Sequence, residues 1–259
     1  MITSLANPLV KQARALRQRK ARVETGLFLV EGIHHVGEVI EAGWVVETIL
    51  FAPDLLTSSF ANDLLERAAR LTLRTQPVSA KVMESLAEKD NPQGILAIVR
   101  QKRIKLDDIS PIKRGVALVS PQDPGNVGAI LRTMEAVDAD TLFLLDGGVE
   151  PFHPTTVRAS MGTLFWIPIV EMDFNEFVKW TKNGGYSLIG TSAHATKDYR
   201  QYKFDIPWIL VFGNEQKGLS PQQAAACTEM VCLPMRGRVS SLNLSVAAGV
   251  LLYQFTDDS

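Results

Sequence analysis

Side chains that could bind or activate a small polar ligand are concentrated in three segments, and each segment opens where a short apolar run ends. The segments are SPQDPGNVGAILR at 120–132, LVFGNEQKGLS at 210–220 and LPMRGRVSSLNLSVAAGVLL at 233–252. Asn126 and Asn243 carry amides that both donate and accept hydrogen bonds. Arg132 adds a permanent cation, and Glu215 is either a helix-start acid or a site carboxylate. In a parallel sheet we expect the ligand outside the carboxyl ends of the strands.

Taken alone, the first segment also has an ordinary explanation. A strand, a turn through Pro124 and Gly125 and a helix N-terminus could hold a phosphate, because the first backbone N–H groups of a helix are free. The spacing Gly125-x-x-Gly128 is not the dinucleotide-binding fingerprint, and no Walker lysine follows. A tight connection with a helix cap would use the same residues. Arg132 lies about 120° around the helix from Asn126, so it must reach back to share a site with the turn.

The other two segments can likewise be explained by ligand binding or by local structure alone. The glycines of the second segment indicate positive φ angles or a close approach of a ligand to the backbone. In the third segment, Ser240 or Ser241 is predicted to cap the last helix. Asn243 would then lie in the first turn, where Asn is a poor helix former, so we expect its side chain to have another use.

The pattern of apolar runs predicts two domains joined by a linker. Residues 1–103 begin with a basic helix from Pro8 and contain strands at GLFLVEG, WVVETILFA and GILAIVR with helices between them. Residues 104–114 are polar, contain a proline and are predicted to be the linker. In residues 115–259 the apolar runs VALVS, TLFLLD, TLFWIPIV, YSLIGTS, WILVFG and MVCLP alternate with helix-compatible stretches. This alternation predicts an α/β fold with a parallel sheet covered on both faces.

The composition excludes several classes of protein. Of the 259 residues, 46% are hydrophobic and 21% are charged, which is not the composition of a disordered, collagen-like or coiled-coil chain. No apolar run reaches the roughly 18–20 residues of a membrane-spanning helix. The first 23 residues contain no long apolar segment followed by a small-residue cleavage site, so we do not expect export. The two cysteines, Cys227 and Cys232, are too few for a disulfide framework or a structural zinc site. We expect a cytoplasmic, reduced, metal-independent protein with no membrane partner.

The first charged residues of the chain are all basic. The cations that precede the first acidic residue, Glu24, are Lys11, Arg14, Arg17, Arg19, Lys20 and Arg22. A solvated helix face explains such a run, and so does a surface that contacts phosphates. The charge pattern alone leaves both interpretations open.

In their order and spacing, the three segments resemble the three sequence motifs of the SpoU (TrmH) family of RNA 2′-O-ribose methyltransferases, in the SPOUT superfamily. The matching positions are Asn126, Gly128 and Arg132, then Gly213, Asn214, Glu215, Gly218 and Leu219, then Pro234, Met235, Ser241, Leu242, Asn243 and Ser245. RASMGTLFWIPI also resembles the family, and ITSLANPLVKQARALRQRK with GLFLVEG is similar to its N-terminal substrate-binding domain. One departure affects the end of a helix and not the chemistry: the family has Phe-Gly where this chain has Val137 and Asp138.

The resemblance implies a C-terminal α/β domain with a trefoil knot, preceded by a smaller α/β RNA-binding domain. Threaded chains are very rare, and composition and periodicity do not indicate one here. The resemblance also implies that the knotted loops bind S-adenosylmethionine (AdoMet) and that two subunits complete the active sites, so we expect a homodimer. The implied cofactor-binding residues are Thr191, Gly213, Asn214, Gly218, Leu233, Met235, Leu242 and Asn243. Among them, the backbone of Leu233 and Leu242 is expected to bind the adenine.

The implied reaction moves a methyl group from a sulfonium to a ribose 2′-hydroxyl. The catalytic residues that the resemblance implies are Asn126, Arg132, Glu215, Ser241 and Asn243. Because the methyl is already activated, the protein must chiefly align the reacting atoms and help to remove the hydroxyl proton. The resemblance assigns Arg132 to activating that hydroxyl, but a guanidinium stays charged in proteins. Stabilising the developing alkoxide or gripping the adjacent phosphate is its easier role.

The expected substrate is structured RNA, with large-subunit (23S-type) ribosomal RNA as the first choice and tRNA as the second. The 2′-hydroxyl target excludes DNA. For an RNA enzyme, the predicted RNA-binding residues are Lys11, Arg14, Arg17, Arg19, Lys20 and Arg22. A catalytically silent rRNA assembly factor would keep the fold, but the intact motif residues argue against it. A nicotinamide-dependent oxidoreductase lacks both its fingerprint and its ribose-binding acid, and methylation of a base stays open although the motifs favour ribose.

Overall fold

The computed structural model of the chain describes residues 1–88, 93–109, 111–202, 205 and 207–256. The helices are α1 (Pro8–Ala15), α2 (Arg19–Thr25), α3 (Ile33–Glu41), α4 (Ser59–Arg70), α5 (Ala80–Leu86), α6 (Pro124–Ala136), α7 (Pro154–Ala159), α8 (Phe174–Gly184), α9 (Pro221–Ala226) and α10 (Leu244–Thr256). The strands are β1 (Leu27–Glu31), β2 (Val46–Phe51), β3 (Thr75–Pro77), β4 (Ile95–Arg100), β5 (Arg114–Val119), β6 (Thr141–Leu145), β7 (Ile169–Met172), β8 (Ser187–Thr191), β9 (Lys197–Asp198), β10 (Trp208–Phe212) and β11 (Glu229–Cys232). In the part of the chain that the structure describes, no helix has the length and apolar character needed to cross a membrane.

The chain divides into two compact units. Unit 1 comprises Met1–Lys102 and Phe152–Trp166, and unit 2 comprises Arg103–Pro151 and Ile167–Ser259. The predicted bounds of the domains (1–103 and 115–259) and of the linker (104–114) stay a prediction.

Unit 1 is built on a four-stranded mixed sheet in the order β1-β4-β2-β3. β4 pairs antiparallel with β1 and β2, and β3 adds to β2 in parallel. One face of this sheet packs with α1 and α5 around buried apolar side chains such as Val10, Leu16 and Met83. α1 begins after Asn7, whose side chain accepts a hydrogen bond from the backbone N–H of Leu9 at 2.9 Å, and Pro8 fills the first helical position, where a missing N–H costs nothing.

The segment Phe152–Trp166 belongs to unit 1 because its aromatic side chains pack there. The Phe152 and Phe28 ring centroids are 4.7 Å apart, and those of Phe165 and Trp44 are 5.5 Å apart. The indole N–H of Trp44 also donates to the carbonyl oxygen of Phe165 at 3.0 Å. A stretch that the sequence analysis places in the C-terminal domain therefore contributes to the core of the N-terminal one.

Unit 2 is a seven-stranded sheet in the order β7-β6-β5-β10-β8-β11-β9, and every neighbouring pair is parallel. β5, β6 and β10 are almost wholly buried apolar runs, as strands covered on both faces must be. The predicted α/β fold with a parallel sheet is confirmed.

One local prediction is corrected, and one departure from the family pattern is explained. The run TLFWIPIV is not one strand, because Thr163–Phe165 forms a 3₁₀ turn and β7 begins only at Ile169. The helix end at the family departure is formed without glycine: α6 ends at Ala136, and Asp138 adopts a left-handed φ of +54°. Aspartate tolerates this conformation better than most residues, which explains how the substitution keeps the helix end.

Candidate active site

Four neighbouring strands of unit 2 end at one edge of the sheet. β5, β10, β8 and β11 are adjacent and parallel, so their carboxyl ends lie side by side. Ser120, Gly213 and Leu233 directly follow β5, β10 and β11, and Thr191 is the last residue of β8. All three chemistry-bearing segments therefore start at this edge, which is where parallel sheets bind ligands.

The turn after β10 folds tightly on itself. A Cβ atom on Gly213 would lie 2.2 Å from the carbonyl carbon of Gly218, so any side chain at position 213 would displace the backbone. Gly218 has a φ of +67°, which glycine adopts at little cost. The side chain of Asn214 donates to the carbonyl oxygen of Ser120 at 2.9 Å and accepts from the backbone N–H of Gln216 at 3.0 Å. Asn214 thus fixes the turn and ties it to the end of β5.

Glu215 links the second segment to the first. Its carboxylate accepts hydrogen bonds from the backbone N–H groups of Gln122 at 2.9 Å and Asp123 at 3.2 Å, just before α6. It also accepts from the side-chain amide of Asn126 at 3.3 Å. Glu215 is therefore a carboxylate of the site that holds the loop before α6, and it does not start a helix.

Asn126 and Asn243 link the first segment to the third. The Nδ2 of Asn243 donates to the Oδ1 of Asn126 at 2.9 Å, and Asn126 is only 6% exposed. Asn126 uses its NH₂ group toward Glu215 and its oxygen toward Asn243, so its two ends are both occupied. We call Glu215, Asn126 and Asn243 the amide network; it brings one residue of each segment into a single chain of hydrogen bonds.

The predicted caps of the last helix are wrong. α10 begins at Leu244, and the Oδ1 of Asn243 accepts from the backbone N–H of Ser245 at 2.9 Å and from its hydroxyl at 2.7 Å. Asn243 is thus the residue that caps α10, and neither Ser240 nor Ser241 does so. The expected second use of its side chain exists, because the same amide caps the helix with its oxygen and binds Asn126 with its nitrogen.

Arg132 and Ser241 are not part of the amide network. Arg132 lies on α6 but is exposed, whereas Asn126 on the same helix is buried. Its guanidinium makes no ion pair or hydrogen bond with the residues that the structure describes, and neither does the exposed hydroxyl of Ser241. Within one chain, these two predicted catalytic groups face outward.

The carboxyl-end edge of the sheet carries backbone polar groups and apolar side chains that a ligand could contact. Within the described chain, the backbone of residues 234–242 makes no backbone–backbone hydrogen bond, so its N–H and C=O groups are available to a ligand. Apolar side chains lie in the same loop, with Leu242 39% exposed and Val239 61% exposed. At the neighbouring strand end, the hydroxyl of Thr191 donates to the carbonyl oxygen of Val211 at 3.2 Å. Apolar contacts beside a few backbone polar groups are typical of such ligand sites.

The basic residues of the N-terminus fall into two groups. Lys11, Arg19 and Lys20 are exposed on α1 and α2, and Lys20 has only a 3.8 Å ion pair with Glu24 one turn along its helix. These three are surface cations as predicted.

Arg22 is not a surface cation, contrary to the prediction. It is 1% exposed, and its Nη1 donates to the carbonyl oxygens of Leu16 at 2.8 Å and Arg17 at 2.7 Å. It therefore closes the turn between α1 and α2. Arg14 and Arg17 are half-buried and bind α5 and its end: Arg14 donates to the hydroxyl of Ser85 at 3.1 Å, and Arg17 donates to the carbonyl oxygen of Leu86 at 2.6 Å.

The Cys227 thiol does not have the environment of a nucleophile. Burial raises the pKa of the Cys227 thiol to about 11, so it is protonated at neutral pH, and its sulfur donates to the carbonyl oxygen of Gln223 at 3.4 Å. Among the described residues, no group of three or more His, Cys, Asp or Glu side chains could hold a metal ion.

Sequence reasoning missed the backbone of the site. The N–H groups of Gln122 and Asp123 that bind Glu215, and the carbonyl of Ser120 that binds Asn214, belong to the first segment. Their side chains carry no signal for these bonds. The only clue in the sequence was the position of the segment directly after an apolar run.

Comparisons with known proteins cover almost the whole chain. The family model described as the SpoU rRNA Methylase family matches residues 113–253, and the model described as the MRM3-like substrate binding domain matches residues 7–97. The chain is 32% identical over 251 residues to the 23S rRNA (uridine(2479)-2′-O)-methyltransferase of Streptomyces viridochromogenes, covering 92% of this chain and 85% of that protein. It is 28% identical over 252 residues to the 23S rRNA (guanosine(2553)-2′-O)-methyltransferase RlmP of Bacillus subtilis, covering 97% of each.

A solved structure is similar over the same extent. The AdoMet-bound rRNA methyltransferase from Sinorhizobium meliloti superimposes with a TM-score of 0.88 at 34% sequence identity, covering 98% of this chain and 95% of that one.

Proposed function

Because the chain belongs to the SpoU rRNA Methylase family, we propose that it transfers a methyl group from AdoMet to a ribose 2′-hydroxyl of large-subunit ribosomal RNA. The family match confirms the resemblance that the three motifs predict, and the likeness to a solved rRNA methyltransferase agrees with a trefoil knot. Relatives named as 23S rRNA 2′-O-methyltransferases favour ribosomal RNA over tRNA. The amide network carries the proposal, because it joins the three motifs at the ligand-binding edge of the sheet.

The cofactor residues at the sheet edge form one pocket in this proposal. The backbone of Leu233 and Leu242 would hold the adenine, and the tight turn from Gly213 to Gly218 would let the ligand approach the main chain. The remaining members are Thr191, Asn214, Met235 and Asn243. When bound there, AdoMet supplies a methyl group that its sulfonium has already activated.

Each catalytic residue has a role that its surroundings allow. Glu215, Asn126 and Asn243 are positioning residues, because their polar atoms are engaged with one another and with the backbone. Arg132 keeps its charge and acts on the substrate, by stabilising the 2′-oxygen as its proton leaves or by holding the adjacent phosphate. Ser241 stays exposed beside the loop, where its hydroxyl can contact the ribose.

We propose RNA recognition by unit 1 through Lys11, Arg19 and Lys20. These cations are exposed, and counterion release from RNA makes such contacts favourable. We also propose that the enzyme is cytoplasmic, which a ribosomal RNA substrate supports.

We further propose a homodimer formed through α10. Val246, Val250 and Tyr253 recur at helical spacing and are 51%, 36% and 54% exposed, which gives one apolar stripe along the helix. A second copy would cover this stripe and bring its own groups to the outward-facing Arg132. Tyr253→Glu is expected to yield monomers in sedimentation equilibrium and to abolish methyl transfer, whereas Gln254→Glu, a neighbouring exposed position, keeps the dimer. A monomeric unaltered protein with full activity would refute this part of the proposal.

Labelled methyl transfer tests the function directly. The protein is incubated with methyl-labelled AdoMet and, in separate reactions, with large-subunit rRNA and with tRNA. Both RNAs are transcribed in vitro and carry no earlier modification, and the labelled nucleotide is mapped. The expected result is one nucleotide labelled on its ribose, recognised by a neighbouring phosphodiester that resists alkali. Label on a base, label on tRNA only, or AdoMet binding without any transfer would each overturn the proposal, the last in favour of an assembly factor.

A further inference from the structure

The residues that directly follow β5 and β6 have an uncommon backbone conformation. Val119 and Leu145, the last residues of these two strands, are paired in the sheet, so Ser120 and Asp146 leave it side by side. Both residues are left-handed, with φ angles of +47° and +56°. Residues other than glycine adopt such angles rarely, and they keep them only where the surrounding structure holds them in place.

The loop after β6 lies against the start of the first segment. The hydroxyl of Ser120 donates to the carbonyl oxygen of Asp146 at 3.2 Å, and the backbone N–H of Val149 donates to the carbonyl oxygen of Pro121 at 2.9 Å. At Gly148 the two backbones are so close that a Cβ atom would lie 2.3 Å from the carbonyl oxygen of Pro121. A side chain at position 148 therefore requires the first segment to move.

The contacted residues come directly before the two N–H groups that bind Glu215. Gln122 and Asp123 donate to this carboxylate at 2.9 Å and 3.2 Å. The carbonyl oxygen of Ser120 is also held, because it accepts from the side-chain amide of Asn214 at 2.9 Å. A backbone shift of about 1 Å away from Glu215 would lengthen both N–H bonds beyond hydrogen-bonding distance.

We infer that Ser120 and Gly148 are positioning residues of the methyl-transfer site. Gly148 lets the loop after β6 approach the first segment closely, and the left-handed turn at Ser120 directs the next N–H groups toward Glu215. Through Glu215 this placement extends to Asn126 and to the rest of the amide network. The inference rests on the proposed function, because it concerns how the network is held for methyl transfer. Gly148 lies outside all three motifs.

The first test compares Gly148→Ala with Gly147→Ala. Both glycines have a positive φ, +99° and +77°, so both alanines meet a disfavoured backbone conformation. A Cβ atom at Gly147 would have no heavy atom within 4 Å, so only Gly148→Ala displaces the first segment. We expect Gly148→Ala to lower single-turnover methyl transfer at saturating AdoMet and rRNA by about 10- to 100-fold, the effect of a misplacement of about 1 Å. Gly147→Ala should keep the rate.

Amide hydrogen exchange tests the positioning without AdoMet or RNA. In the unaltered protein and in Gly147→Ala, the N–H groups of Gln122 and Asp123 should exchange slowly, because Glu215 binds them. In Gly148→Ala they should exchange about tenfold faster or more, while the amides of the buried strand β10 keep their protection and show that the fold is intact. Unchanged exchange at both N–H groups in Gly148→Ala would overturn the inference, whatever the activity of the variant.

A second pair of variants tests the turn at Ser120 and decides the matter if Gly148→Ala does not fold. Ser120→Gly and Ser120→Val both remove the hydroxyl, but glycine adopts a left-handed φ freely and the β-branched valine resists it. We expect Ser120→Val to show the slow transfer and fast exchange of Gly148→Ala, and Ser120→Gly to stay close to the unaltered protein. Equally slow transfer by both variants would mean that the hydroxyl and not the backbone conformation matters, and the assignment would fail.

Asp138→Val is the matched control for Ser120→Val. Asp138 is also left-handed, with a φ of +54°, and it follows the end of α6 in the same unit. Its substitution imposes the same kind of backbone cost away from Glu215 and should leave transfer unchanged. Equal loss of transfer in Asp138→Val would show general destabilisation and refute the inference. If the unaltered protein transferred no methyl group, the proposed function would fail, whereas the exchange of Gln122 and Asp123 would still decide the positioning.

Discussion

The two ends of α6 show how differently one helix can use its polar residues. Near its start, Asn126 is buried and its side chain is bonded to Glu215 and Asn243. Two turns later, Arg132 is exposed and has no partner in the described chain. A side chain that makes all its hydrogen bonds within the protein can only hold the site in shape. An exposed cation without a partner in the described chain is available to interact with a bound substrate. In the proposed function, this contrast separates the residues that position the site from Arg132, which acts on the substrate.

The largest effect should come from Arg132. We expect Arg132→Ala to lower methyl transfer by about 100-fold or more, the usual loss when a preorganised donor at a developing charge is removed. AdoMet affinity and melting temperature should stay unchanged, because the side chain holds nothing in the free protein. Single-turnover transfer, calorimetric AdoMet titration and thermal unfolding measure the three quantities.

The control for this prediction is Lys182→Ala, which removes another exposed cation from unit 2. Arg132→Lys should restore part of the rate if charge is what matters, and little if the planar guanidinium must bind a phosphate through two N–H groups. Near-normal turnover of Arg132→Ala would contradict the proposed difference in role between Asn126 and Arg132.

Much of the fold and of the site could be predicted because it depends on local pattern. The buried parallel strands read as apolar runs, and the three motifs fell at their ends. What failed depended on contacts distant in sequence: TLFWIPIV looked like a strand, but Phe152 and Phe165 pack with Phe28 and Trp44 more than 100 residues earlier. Arg22 looked like its basic neighbours, and only the turn between α1 and α2 makes it a buried donor.

The amide network predicts that substitutions of its residues have non-additive effects on the free energy of unfolding. Asn126→Ala and Asn243→Ala are each expected to lower the free energy of unfolding by about 1–3 kcal/mol. The first removes the bonds that the buried Asn126 amide makes to Glu215 and Asn243, and the second leaves the buried Asn126 oxygen without its donor. The double variant should cost less than the two single losses together, by about 0.5–3 kcal/mol. Denaturant unfolding measures all three. Strict additivity would show that the two amides do not depend on each other. Asn175→Ala, at an exposed position of α8, serves as the control.

A smaller contrast of the same kind separates Arg22 from Lys20, two residues apart in α2. Arg22→Met should destabilise unit 1 by about 1–3 kcal/mol, because the carbonyl groups of Leu16 and Arg17 lose their donor. Lys20→Met, like Lys11→Met and Arg19→Met, should leave stability within about 0.5 kcal/mol.

The surface cations should instead appear in the binding of RNA. Together, the three surface substitutions are expected to weaken rRNA binding and to flatten its dependence on salt, since fewer counterions are released. Filter binding from low to high salt measures the slope. An unchanged slope would show that these residues do not contact the RNA. An Arg22→Met protein as stable as the unaltered one would show that Arg22 does not stabilise unit 1.

The smallest predicted effect is on the pH dependence of stability and comes from the partly buried thiol of Cys227. Burial raises the pKa of Cys227 from 9.0 to about 11, so the fold favours the neutral thiol. A group with a raised folded-state pKa contributes stability that is complete below its unfolded pKa and is lost as the pH rises through the folded one. Between pH 9 and 11 the unaltered protein should therefore lose about 1–2 kcal/mol more stability than Cys227→Ala, measured by urea unfolding at each pH. If Cys227→Ala showed the same alkaline loss as the unaltered chain, the thiol would not be enclosed as the structure places it.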